Sequence, residues 1–128
     1  MNDYMKQQML ELVNIERIKA VVAPLTLDEQ AERTAQRKAD DMLLRNYFSH
    51  TSPIYGSLYE LLSQFDVQFS SAAENLAKGS KTAESTMELW MNSEGHRKNI
   101  LNPVFTGLGV GYAEGNNTTY WVQIFIAK

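Results

Sequence analysis

The ten residues Thr118–Ala127, TTYWVQIFIA, decide the architecture of this chain. In an extended strand successive side chains point to opposite faces. Tyr120, Val122, Ile124 and Ile126 therefore share one face, and Trp121 and Phe125 share the other with Gln123 between them. A strand that is apolar on both faces is one that is covered on both faces. Just upstream, Gly115-Asn116-Asn117 separates this run from residues 107–114, which is a hairpin signal. Gly107, Gly109 and Gly111 alternate in the preceding run, leaving one face without Cβ atoms, so that a helix or backbone can approach closely.

The rest of the chain supplies the covering layers. Met5, Met9, Leu12 and Val13 make one apolar stripe of a helix over 3–20, which Pro24 ends. Thr26-x-x-Glu29 reads as a capping box opening a helix over 27–46, whose buried stripe is Leu27, Ala31, Ala35, Ala39 and Met42. The small alanines predict close packing. Ser57-x-x-Glu60 opens a short helix through Leu62, Val67 and Phe69 alternate in a strand over 67–77, and Ala83, Met87, Trp90 and Met91 mark a helix over 82–92. Helices on both faces of a small, mainly antiparallel sheet make an α/β fold, a three-layer α/β/α sandwich. Residues 1–128 form one domain in this reading, with no repeat or linker.

Composition narrows the function. The 44% hydrophobic and 21% charged residues are those of a globular chain. A net charge of -3, with the densest basic run (Arg33, Arg37, Lys38) flanked by acids, lacks the basic face a nucleic-acid binder needs. The absence of cysteine excludes disulfides, thiol nucleophiles and thiolate metal sites. No run approaches the roughly 18 apolar residues of a membrane span. The N-terminal MNDYMKQQM lacks the basic and apolar regions of a signal peptide.

Chemistry points to the two histidines, His50 in NYFSH and His96 in SEGH, both placed in loops by this reading. Glu94 and His96, two apart, point the same way if their segment is extended. Glu74 lies in Ala72-Ala73-Glu74-Asn75-Leu76, where a carboxylate either pairs with a histidine or sits at a strand end in solvent. No HExxH, GxSxG, P-loop or GxGxxG occurs, and no oxyanion motif supports Ser49 or Ser93 as a nucleophile. Gln123, if buried, needs a hydrogen-bond partner and is placed to support the site from beneath.

Taken in order, LVNIER, PLTLDEQ, FSHTSP, AENLAKG, WMNSEGHRKNIL, FTGLGVGY and YWVQIF resemble the CAP superfamily of cysteine-rich secretory proteins, antigen five and pathogenesis-related protein one. The chain is most similar to its bacterial, cysteine-free branch, from about residue 9 to 127. The resemblance implies an α/β/α sandwich and a cleft lined by two histidines and two acids. His50, Glu74 and His96 match three of these; Ala73 stands where the family phrase has glycine. Glu94 is the candidate for the second acid, one residue out of register after Trp90, with Glu88 as substitute. The resemblance further implies that His50 and His96 bind Zn²⁺ or another divalent cation, with the glutamates orienting the rings. It implies an extracellular or cell-surface role, so that an export signal is expected outside these residues. A binding module for a small molecule or protein, with Tyr47, Phe48, Tyr55 and Trp90 lining a groove, is the first reading. A metal-assisted hydrolase and a purely structural tetrad are the alternatives.

Overall fold

The computed structural model describes residues 3–128. In chain order the elements are α1 (Asp3–Lys19), β1 (Thr26–Leu27), α2 (Glu29–Arg45), α3 (Leu58–Gln64), β2 (Ser71–Lys78), α4 (Ala83–Met91), α5 (Glu94–Leu101), β3 (Gly107–Gly115) and β4 (Thr118–Ala127). The sheet order is β1-β3-β4-β2; β1 lies parallel to β3, and the other pairs are antiparallel. The apolar run that sets the architecture is therefore an interior strand.

Its two faces feed two cores. Tyr120, Val122, Ile124 and Ile126 pack with Ala31, Ala35, Ala39 and Met42 of α2 and Leu62 of α3. Trp121 and Phe125 pack with Met9 and Val13 of α1, Met87 and Trp90 of α4 and Ile100 of α5. Helices thus cover both faces, as the alternation requires. The glycines of β3 explain how α2 comes so close: a Cβ on Gly109 would meet the main-chain carbon of Ala31 at 2.2 Å, and one on Gly111 the oxygen of Ala35 at 2.2 Å.

Several boundaries differ from the sequence expectation. The cap of α2 is Asp28, whose Oδ1 accepts from Ala31 N–H at 2.9 Å. Thr26 and Leu27 are instead drawn into β1 by pairing with Gly107 and Leu108. The middle strand starts at Ser71, paired with Ala127, the last residue of β4; Ser70 before it still donates its N–H to the Ala127 oxygen at 2.7 Å. Phe69 stacks on Tyr59, ring centroids 5.5 Å apart. The Ser57–Glu60 capping box is present, and α3 runs on to Gln64.

The largest departure is α5. Its eight residues include Gly95, and its cap residue Ser93 makes no side-chain capping bond, so local signals for a helix are weak. His96 is consequently helical rather than in a loop, and Glu94 and His96 cannot face the same way, since each residue turns the helix by about 100°.

Candidate functional site

The end of the sheet formed by β2 brings the first pair together. Glu74 pairs with Ile124 in the β2–β4 ladder, which buries its side chain to 2% exposure. Its Oε1 lies 2.8 Å from Nδ1 of His50, which reaches it from the segment after α2. The solvent-exposed alternative for Glu74 is thereby excluded. Its other oxygen, Oε2, is buried without a hydrogen-bond partner among the described residues. The hydrogen bond to Glu74 raises the imidazole of His50 above its ordinary value, while burial and the charge of Lys38 pull it partly back.

His96 approaches from α5. Its Nδ1 lies 2.8 Å from the hydroxyl of Ser93 at the start of the same helix. Burial lowers its pKa, and the charge on His50 lowers it further. Neither Nε2 nitrogen has a hydrogen-bond partner among the described residues.

A buried amide lattice supports His96 and the strand that carries Glu74. Gln123 is fully buried; its Oε1 accepts from Asn75 Nδ2 at 3.1 Å, and its Nε2 faces the sulfur of Met87 at 3.6 Å. Asn75 Nδ2 also donates to the main-chain oxygen of His96 at 3.2 Å. Asn99 Nδ2 donates to Oδ1 of Asn75 at 2.9 Å. The lattice ties β2 and β4 to α5, and Gln123 finds in Asn75 the partner that its burial requires.

The structure does not bring Glu94 to the other three. Its side chain is exposed at the first turn of α5, with no hydrogen bond or ion pair among the described residues. Glu88 is likewise exposed, on α4. Trp90 does not line a groove: it is 1% exposed, with Nε1 donating to the main-chain oxygen of Leu76 at 3.0 Å. Phe48 is exposed and Tyr47 and Tyr55 are half-buried beside His50 in the chain.

Sequence reasoning missed three groups. Ser93, which no oxyanion motif supports as a nucleophile, is instead the partner of His96, and the Ser-x-x-His spacing places both within one helical turn. In the sequence Lys38 belongs to the densest basic run, with Arg33 and Arg37, and Asp41 has no mark of its own. Both are 1% exposed. Lys38 alone carries a signal: positions 31, 35, 38 and 42 make one helical stripe, and a lysine on it is out of pattern.

The model of the cysteine-rich secretory protein family, CAP, matches residues 10–125. The chain is 48% identical over 123 residues to the uncharacterized protein YkwD of Bacillus subtilis (strain 168), covering 96% of this chain and 47% of that protein. A crystal structure of an extracellular protein containing a SCP domain, from Bacillus anthracis str. Ames, superposes with a TM-score of 0.90 at 39% identity, over 100% of this chain and 44% of that one. The structure of NaASP2 with Zn²⁺ superposes with a TM-score of 0.73 over 98% of this chain and 80% of that one; at 15% identity the likeness is one of fold. The chain spans less than half the length of the two Bacillus proteins.

Proposed function

This chain belongs to the cysteine-rich secretory protein (CAP) family, and from that premise we propose that it is an extracellular binding module that holds a divalent cation such as Zn²⁺ through His50 and His96. One observation carries the reading. Both imidazoles are engaged through Nδ1, by Glu74 and by Ser93, and both keep Nε2 free. Metal-binding histidines ordinarily use one nitrogen for the ion and give the other to an oxygen partner that fixes ring and tautomer.

The donor set limits the affinity. Among the described residues no three His, Asp or Glu side chains are grouped to hold an ion, and Glu74 is committed to His50. Two imidazoles fit an ion whose other positions are taken by water or ligand atoms, more weakly held than in three- or four-ligand zinc sites. Bound there, Zn²⁺ would present open positions to an oxygen or nitrogen donor of a lipid, a wall component or a protein. NaASP2 was crystallised with Zn²⁺, and the 39%-identical Bacillus relative is described as extracellular; both support the reading from outside this chain.

A second reading is favoured by the amide lattice, which holds α5 to the sheet, and by the His50–Glu74 pair, which holds the His50 segment: the same groups serve only to fix these elements. Calorimetric titration of the metal-free domain with Zn²⁺ separates the two. Binding at pH 7.5 is expected, weaker by at least about tenfold at pH 5.5, where the imidazoles take up protons, and lost in His50→Ala and His96→Ala. Absence of heat at pH 7.5, with a lower melting temperature in both variants, supports the structural reading and overturns the first.

A further inference from the structure

Of the buried charges of α2, only that of Lys38 touches the site described above, through its effect on the His50 imidazole. Lys38 and Asp41 sit on the helix's buried side, near Ala35, Ala39 and Met42. Apolar residues there would pack the helix on the sheet at least as well, because burying charge is costly unless its hydrogen bonds are placed. Here they are placed, and nearly all on one segment, residues 46–57, which carries His50.

Lys38 Nζ donates to the main-chain oxygen of His50 at 3.2 Å and to the hydroxyl of Tyr47 at 3.3 Å, and stands 5.0 Å from the centroid of the Tyr47 ring. Asp41 accepts from the Tyr47 hydroxyl, from the hydroxyl of Ser52 at 2.7 Å and from Arg45. Ser52 passes the anchoring on: its Oγ accepts from the N–H groups of Ile54 at 3.1 Å and Tyr55 at 3.0 Å, and its main chain exchanges two hydrogen bonds with Gly56. The segment has no helix or strand of its own, only the Ser52–Gly56 bridge. Two side chains from a rigid helix thus hold it at Tyr47, at His50 and at Ser52.

We propose that Lys38 and Asp41 are positioning residues that set where His50 stands against Glu74 and hence its fitness as a ligand. The consequence for the cation rests on the two-histidine reading above; the placement of the ring does not.

The test uses Lys38→Met, which keeps length without charge, and the pair Ser52→Ala and Ser52→Thr, which removes and restores the hydroxyl that Asp41 grips. Two-bond ¹H–¹⁵N correlation spectra at pH 8.5, without metal, report the tautomer of the His50 ring. Zn²⁺ titration reports affinity. Lys38→Met and Ser52→Ala are expected to replace the Nδ1-protonated signature of His50 by that of a free, averaging imidazole and to weaken Zn²⁺ binding at least about tenfold. Ser52→Thr is expected to restore both. An unchanged His50 signature in folded Lys38→Met and Ser52→Ala overturns the proposal. If Lys38→Met does not fold, the Ser52 pair decides alone. If the unmutated domain binds no Zn²⁺, the two-histidine reading falls and the ring signature still decides the positioning role.

Discussion

Replacing Gly109 by alanine tests the packing that makes this a sandwich. The added Cβ would lie 2.2 Å from the main-chain carbon and 2.3 Å from the oxygen of Ala31, where ordinary contact begins at 3.4 Å. The atoms met are helix backbone, which has no rotamer to change. Either α2 lifts by about 1 Å or β3 sinks into the opposite core, and such overpacking costs about 3 kcal/mol, the upper end of its usual range. For a domain of this size that is a fall of roughly 10 °C in melting temperature. Gly111→Ala meets Ala35 oxygen at 2.2 Å and should do the same. Gly95→Ala is the control, with nothing within 4 Å of its Cβ and a helical backbone; it should stabilise by about 0.5–1 kcal/mol. The assay is thermal unfolding followed by far-UV circular dichroism. A Gly109→Ala domain melting within about 2 °C of the parent would refute the close-approach argument.

Arg17 is fully buried and donates to the main-chain oxygens of Ala23, Ile100, Asn102 and Phe105. Arg17→Lys, which lacks the planar fork, should lose about 2 kcal/mol in urea unfolding, and an unchanged midpoint would contradict this role. The two histidines should give opposite pH signatures in the metal-free domain. The pKa of His50 is raised by Glu74, so its contribution is fully present below the unfolded value near 6.5 and fades as pH rises through the folded value. The pKa of His96 is lowered, so it favours folding above that value and penalises it as pH falls below. Melting temperature against pH should therefore show the parent's advantage over His50→Ala shrinking above neutrality, and His96→Ala relieving part of the acid-side loss; parallel curves would contradict both assignments.

Of the site, the chain itself showed the scarce residues. With only two histidines and one glutamate in a strand-like apolar phrase, His50, His96 and Glu74 stand out in the sequence as candidates. Glu94 would stand beside His96 only on an extended segment; on the short helix α5 the two residues lie about 200° apart. Ser93, Lys38 and Asp41 could not be assigned from spacing alone, since their meaning lies in partners supplied by other segments or by a helix that local signals barely announce. Lys38 was legible as an oddity on an apolar stripe, but the oxygen it serves belongs to His50, twelve residues on.

The sequence by itself determined the layers. Period-two alternation in Thr118–Ala127, small residues on α2 and alternating glycines on β3 are local patterns, and each dictates which face must be covered and how closely. Tertiary structure alone decided the site. Whether a carboxylate is buried, which nitrogen of a ring is occupied and which buried charge holds which loop depend on atoms brought together from distant parts of the chain, and no local pattern encodes those distances.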